Sequence, residues 1–391
     1  HRWRAIADEI GCGKPPRGAR APSSSGLSPI VVVDLETTGL SRDAGTLAFM
    51  VGIAYSSQGR WWVEQWTLSQ LRAEGAMLSA VVARVEAVAA ADACVASFNG
   101  RSFDLPLLRT RLARCGVSQG PLAHMPHLDL LLVARRLWRD RLVNCRLGTI
   151  EAEVLGVRRR SDISGGEIPP VFWAWLQAPG RGDLCHQMDR IREHNHADLV
   201  SLVLLGEEVA KRLAAPTGPD ESLRVARFFE ATRRPLAALA TIEDGLARAA
   251  RVCAAVRPPP GERKPDGWLA TGRPAPASGA RTGMPTSRAR LALAPPPTPA
   301  QGSTGASSAC FRGTLAHLCG SQGELFGGDD RVFPSYPATM ILFALLHLAA
   351  RLYRQIGERC LAARCWATIC EMFPGDPAAH AGLAKYLEHD L

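Results

Sequence analysis

The stretch I-V-V-V-D-L-E-T-T-G-L, residues 30–40, constrains this chain more than any other. Ile30 to Val33 are apolar and β-branched, the signature of a buried strand. Asp34 and Glu36 follow, separated by one residue, and strand alternation puts them on one face. Two like charges closing a buried strand repel, and each raises the pKa of the other unless a cation stands between them. A divalent metal is the simplest such cation, and an all-oxygen donor set points to Mg²⁺ or Mn²⁺. The alternative is a strand end in water, with both carboxylates solvated.

Further elements assemble around this strand. Leu47–Ser56 and Arg60–Leu68 read as strands joined by a Gln58-Gly59 turn, so the first three strands form an antiparallel meander. The pattern predicts a helix over Glu74–Ala91, a fourth strand over Ala93–Phe98, and a helix over Phe103–Cys115 capped by Gly116. A fifth strand is predicted over His127–Val133, followed by mostly helical sequence to Ala215. A meander followed by β-α-β crossovers predicts an α/β fold with a mixed sheet flanked by helices. Sites in such sheets form at the C-terminal ends of strands, where Asp34 and Glu36 lie.

With 391 residues, the chain is long enough for two or three domains at roughly 150 residues each. Residues 1–28 read as a flexible lead-in, 29–215 as the α/β domain and 216–255 as a helical extension. Residues 256–308, rich in Pro, Gly and Ser, read as a disordered linker. The tail, 309–391, is all-α, with helices over Ile341–Leu352, Arg364–Phe373 and Asp376–Leu387. They resemble tetratricopeptide hairpins, whose repeat of roughly 34 residues leaves room for one or two units, and they offer a surface for a protein partner. A net charge of +9 favours a polyanionic partner. No apolar run approaches the ~18 residues that a membrane-spanning helix needs, so no membrane contact is expected. The opening residues lack an apolar signal core, and the 11 cysteines form no C-x-x-C pair, so a cytoplasmic protein with reduced thiols is expected.

Two later strings add acids. In S-F-N-G-R-S-F-D-L-P-L-L, Asp104 begins a helix, where capping the positive end of the dipole is the alternative explanation. In E-H-N-H-A-D-L-V-S-L, His194 and Asp198 share a helix face at i and i+4, as a simple surface pair also would. Asp129, on the fifth strand, reads as a structural hydrogen-bonding acid or a site residue. Arg158, Arg159 and Arg160 form a basic run that suits either phosphate contacts or a solvated loop. Trp61, Trp62 and Trp66 read as the core and surface of a strand rather than a stacking platform.

D-L-E-T-T-G-L, F-N-G-R-S-F-D and H-N-H-A-D-L-V-S-L together resemble the three motifs of DEDD-type 3′–5′ exonucleases, which have a ribonuclease H-like fold. The resemblance is closer to the YprB-like branch. It extends through H-L-D-L-L-L-V-A-R-R-L-W, R-L-G-T-I-E-A-E-V-L-G and D-I-S-G-G-E-I-P-P-V-F-W-A-W-L, and covers about residues 29–215. The resemblance implies that Asp34, Glu36, Asp104 and Asp198 hold two Mg²⁺ or Mn²⁺ ions and that His194 is the general base. It also implies a nucleic-acid partner with a single-stranded 3′ end, met by Thr37, Thr38, Gly39, Asn99 and Phe103. One departure stands out: His194 precedes Asp198 by four residues, a spacing at which the superfamily usually carries Tyr, whereas its His usually stands five before the last Asp. His196 lies about 200° from His194 around the helix, so it cannot easily substitute. The alternative function is an inactive nucleic-acid-binding or scaffold protein on the same fold. DNA and RNA remain equally open.

Overall fold

The structure is a computed structural model, and it describes residues 28–39, 45–159, 162–255 and 336–389. The linker and almost all of the lead-in lie outside the described residues. Five strands, β1 (Ser28–Thr37), β2 (Ala48–Ser57), β3 (Arg60–Thr67), β4 (Ala89–Ser97) and β5 (His127–Asp129), form one sheet of order β3-β2-β1-β4-β5. β1 pairs antiparallel with β2, and β2 with β3; β1–β4 and β4–β5 are parallel. The chain is therefore an α/β protein with a mixed sheet flanked by helices.

The alternation along β1 divides the core in two. Val31, Val33 and Leu35 join a cluster with Leu78, Leu105 and Phe172, supplied by α1 (Glu74–Val88), α2 (Asp104–Arg114) and α5 (Ile168–Gln177). Ile30 and Val32 join the opposite cluster, with Val133 and Leu137 of α3 (Leu130–Trp138) and Leu199 and Leu202 of α6 (Gly182–Ala214). Burying each of these aliphatic side chains is worth about 1.5–3 kcal/mol. Asp34 and Glu36 continue the second face, so the strand that crosses the middle of the core also delivers two acids beneath α6.

The predicted fifth strand is shorter than its apolar run suggests. It ends at Asp129, and Leu130 opens α3. The Asp129 side chain accepts a hydrogen bond from the Leu131 backbone N–H at 3.1 Å and caps that helix. A run of Leu and Val fits a buried strand and a buried helix equally well, and only the cap decides between them. The helix predicted to run to Ala91 stops at Val88, so β4 begins four residues earlier than expected. A short helix, α4 (Leu147–Ile150), leads into a π-turn at Glu151–Leu155.

After α6 come α7 (Pro219–Ala231), α8 (Pro235–Ala255), α9 (Tyr336–Gln355), α10 (Arg359–Met372) and α11 (Pro377–His389). Each neighbour in sequence packs on the next, and α9 also packs on α7 and α8, so residues 216–255 and the tail share one apolar core. Arg351 on α9 donates two hydrogen bonds to Glu230 on α7, both 2.9 Å, and the Tyr353 hydroxyl bonds Glu243 on α8 at 3.0 Å. No helix among the described residues is long and apolar enough to cross a membrane.

Gly52 on β2 pairs with Asp34 and lets α6 lie close to the sheet. A Cβ there would stand 2.3 Å from the Asn195 side-chain oxygen and 2.6 Å from a Leu199 methyl. Gly52→Ala is expected to cost about 1–3 kcal/mol by overpacking. A denaturant melt should show a lower midpoint with the same m-value; an unchanged midpoint would mean that α6 is not seated on β2 as described.

Candidate active site

The site lies where β1 runs under α6. Asp34 Oδ2 accepts a hydrogen bond from Asn195 Nδ2 at 2.7 Å. Asn195 is fully buried, and its Oδ1 accepts from Gln65 Nε2 at 2.8 Å. Gln65 Nε2 also donates to the Arg192 carbonyl at 2.9 Å, so β3 holds the helix in place over the first acid. Asp198 is three residues beyond Asn195 and shares its helix face. Asn195 carried no signal in the sequence reading, since a mid-helix Asn is ordinarily a surface residue.

The third acid arrives by a turn. β4 ends at Ser97, and in the turn that follows, the φ of 64° at Asn99 is the left-handed conformation that Asn tolerates. Asp129 receives the Asn99 backbone N–H at 2.9 Å and that of Arg101 at 3.1 Å. With its cap of α3, this gives Asp129 a structural role: it shapes the loop that places Asp104. A Cβ on Gly100 would lie 2.1 Å from Ser97 Oγ and 3.2 Å from Asp104 Oδ2, so only glycine allows the turn to press against that carboxylate. Asp104 is buried at the start of α2.

The four acids share one electrostatic environment. Burial, then Asp198, Glu36 and Asp104, push the Asp34 carboxyl well above its usual range, against the Asn195 hydrogen bond that lowers it. Burial, then Asp198 and Asp104, raise Glu36 to about 8. Burial, with Asp129 and Asp198 behind it, raises Asp104 to about 7. Asp198 is raised by burial, with His194 and Arg159 pulling it back. Among the described residues no group of three His, Cys, Asp or Glu side chains is gathered closely enough to ligate one ion as it stands. The donor set nevertheless fits divalent cations: four oxygen ligands, mutually repelling, on a strand end, a helix start and a helix face.

His194 and its neighbours complete the site. His194 Nδ1 lies 2.7 Å from Asp162 Oδ1, and its Nε2 lies 3.7 Å from Asp198 Oδ2. His196 is exposed on another side of the helix. Arg159 turns inward rather than into solvent. Its Nη2 contacts both Glu151 and Asp198, its Nε bonds Glu151 at 3.1 Å, and its Nη1 bonds Asp162 at 3.1 Å. Glu151, Asp162 and Asn195 were not anticipated as site residues, because each reaches the site from an ordinary-looking loop or helix. Arg158 is exposed, and Arg160 lies outside the described residues.

The residues expected to meet substrate lie at the end of β1 and in the turns after β1 and β4. The Thr37 hydroxyl donates to the Gly39 carbonyl at 2.8 Å, and the Thr38 hydroxyl accepts from the Leu47 N–H at 2.9 Å. Both hydroxyls are thus engaged in the turn that ends β1. Asn99 is exposed, and Phe103 is half-buried against the α1–α2 side of the core. Trp61 and Trp66 pack on opposite faces of the sheet, whereas Trp62 is exposed.

The match to the RNase H superfamily model spans residues 31–210, which include β1 through most of α6 and all four acids. Residues 31–210 form an RNase H-superfamily domain. The chain is also similar to the uncharacterized protein YprB of Bacillus subtilis (strain 168), at 30% identity over 214 residues. That alignment takes in 54% of this chain, and the chain spans about half (50%) of the length of that relative. Nucleases of the RNase H-like fold generally use divalent metals, which the all-oxygen donor set here suits.

The raised carboxyls have a consequence for stability. Acids whose folded pKa exceeds the unfolded value bind extra protons in the native state, so stability falls as pH rises through that window. For Glu36 the window runs from 4.5 to about 8. In chelator, the thermal midpoint is expected to fall across this range, and Glu36→Gln should flatten the fall. Saturating Mg²⁺ or Mn²⁺ should restore the midpoint at the alkaline end. A midpoint equally flat in the parent and the variant would contradict the shared-repulsion picture.

Proposed function

We propose that this chain is a metal-dependent phosphodiesterase that removes nucleotides from the 3′ end of a nucleic-acid strand. The observation that carries this reading is the convergence of Asp34, Glu36, Asp104 and Asp198, each driven toward protonation by burial, the first three also by Asp198, beside a histidine with an oriented ring. Four carboxylates match the charge of two divalent ions, and Asp34, Glu36, Asp104 and Asp198 would hold them. When bound, such ions supply Lewis-acid stabilisation of the phosphoryl oxygens and the departing 3′ oxygen, and they acidify the attacking water.

The protein's own part is to place and move a proton. His194 Nδ1 faces the Asp162 carboxylate at 2.7 Å, which assigns the ring hydrogen to Nδ1. Nε2 is then left with its lone pair on the side of Asp198, ready to take the proton of water. Asp162 suits this role: burial raises its pKa, but His194 and Arg159 more than offset that and keep it ionised. The unusual spacing of His194 is thus accommodated by a partner supplied from outside α6. With the Thr37 hydroxyl donated to Gly39, the Thr38 O–H and the backbone of residues 37–39, with Asn99 and Phe103, are left to meet the terminal nucleotide.

The helical tail, read as tetratricopeptide-like, is proposed as a surface for a protein partner. It carries a cleft of about 300 Å³ lined by Arg354, Arg359, Trp366, Lys385, Tyr386 and His389, which suits an acidic segment. A cytoplasmic location is part of the same reading. One observation favours the scaffold alternative: Asp198 is already ion-paired to Arg159.

The deciding experiment incubates the protein with Mn²⁺ or Mg²⁺ and 5′-labelled single-stranded DNA or RNA. A ladder shortening from the 3′ end is expected, lost with chelator and in Asp34→Ala and Asp198→Ala. Binding without shortening would favour the scaffold reading. His194→Ala should lower kcat by about 10²–10⁴-fold, the usual contribution of a general base. Asp162→Asn should fold normally and lower kcat by less than His194→Ala; a wild-type rate in Asp162→Asn would remove it from the mechanism.

A further inference from the structure

Glu151 is a carboxylate that the four-acid arrangement does not use. It is 2% exposed, and it stands on the π-turn that follows α4. Two donors of one guanidinium, Nε and Nη2 of Arg159, converge on its Oε1. The other side of that guanidinium faces the site: Nη2 also meets Asp198, and Nη1 lies 3.1 Å from Asp162 Oδ2 and 3.4 Å from His194 Nδ1. The Arg159 side chain is only 14% exposed. It stands in the wall of a cleft of about 560 Å³, together with Glu151, Arg158, Asp162, His194 and Asp198.

Charge balance says what such an arginine is for. A phosphodiester is an anion, and it must enter a cleft walled by carboxylates. Cations held by the four acids cancel the charge of those acids and leave that of the phosphate unmatched. Arg159 is the guanidinium in contact with both Asp198 and the base-orienting Asp162. Its fork suits two phosphate oxygens in a way that an ammonium does not. Glu151 makes the position durable. When Asp198 turns to a cation, Nη2 is released from Asp198, yet the arginine stays tethered through Nε to a buried partner that would be costly to leave uncompensated.

We propose that Arg159 binds the phosphodiester at the reacting centre, with Glu151 as the positioning residue that aims it. This rests on the phosphodiesterase reading above, and it adds a phosphate-recognition residue that the four-acid motif does not contain. The guanidinium N–H groups donate to non-bridging oxygens of the phosphate. They hold it beside His194 and stabilise the charge that builds as water attacks.

The test uses the full chain and compares Arg159→Ala, Arg159→Lys and Glu151→Gln. Arg135→Ala, on the exposed side of α3, controls for loss of a positive charge. Thermal melts identify variants that fold, and Arg159→Lys decides if Arg159→Ala does not. Binding is read with phosphorothioate-linked single-stranded DNA and RNA in Ca²⁺, turnover with Mn²⁺, and ion affinity by Mn²⁺ titration without substrate. Arg159→Ala is expected to lower kcat by about 10²–10³-fold, as removal of a single oxyanion donor does. It should also weaken oligonucleotide binding while leaving Mn²⁺ affinity undiminished. Arg159→Lys should recover only part of the loss, and Glu151→Gln should add nothing to Arg159→Ala in the double variant, since the two act as one unit.

Wild-type turnover and oligonucleotide binding in Arg159→Ala, with tighter Mn²⁺ binding, would overturn the proposal and leave Arg159 as a stand-in for the cation. Full rescue by lysine would overturn the role of the fork. If the wild type cleaves neither DNA nor RNA, the phosphodiesterase reading fails, and the binding arm still decides about Arg159. Weaker binding in Arg159→Ala but not in Arg135→Ala keeps it as a phosphate contact, and equal binding removes it.

Discussion

Four like charges at the edge of a buried core oppose folding. Two unit charges 4 Å apart interact by about 4 kcal/mol at an effective dielectric constant near 20. Much of the local architecture answers that repulsion. Asn195 donates to Asp34, the surrounding groups raise the pKa of each acid, and Arg159 pairs with Asp198. The raised pKa values relieve the repulsion by favouring the neutral acids, and a bound cation would relieve it in the ionised state. An acidic site of this kind is therefore a weak point of the metal-free fold at high pH.

The acids come from distant parts of the chain, so their geometry depends on packing rather than on local structure. β1 lies between β2 and β4, and Asp34 and Glu36 are held in register with Gly52 and Met50 of β2. α6 is then pressed onto β1 and β2 through Gly52, where no side chain intervenes, and is held by the Gln65–Asn195–Asp34 chain of hydrogen bonds. The turn at residues 99–101, held by Asp129, sets Asp104 against the same space. Asn195 and Asp129, which make these contacts, are themselves buried, which limits the drift that would spoil ligand geometry.

α6 also ties the site to the rest of the molecule. Its 33 residues span roughly 50 Å at 1.5 Å per residue. His194, Asn195 and Asp198 lie along its middle, and Leu205, Val209 and Leu213 enter the core shared with α7, α8 and α9. The α/β domain and the helical layer thus meet through the packing of α3 on α7 and through α6. A contact made by the helical layer would reach the acids through the seating of this helix on the sheet.

The strand-forming run of β1, the pairing of acids on one of its faces, the meander and the later helices were legible in the sequence, because they follow from local periodicity and the chemistry of like charges. The three acidic strings also named four carboxylates and a histidine as candidates, and Asp34, Glu36, Asp104 and Asp198 lie within electrostatic reach of one another. Local pattern could not decide where Leu130 to Val133 belong, since an apolar run suits a strand and a helix alike until Asp129 caps one of them. Nor could it reveal Asn195, Glu151, Asp162 or the inward turn of Arg159. Each of those residues is unremarkable in its own segment and acquires its role from a partner far away in the chain. Pairing a buried polar group with a distant partner is a property of the packed core, and only the tertiary structure decides it.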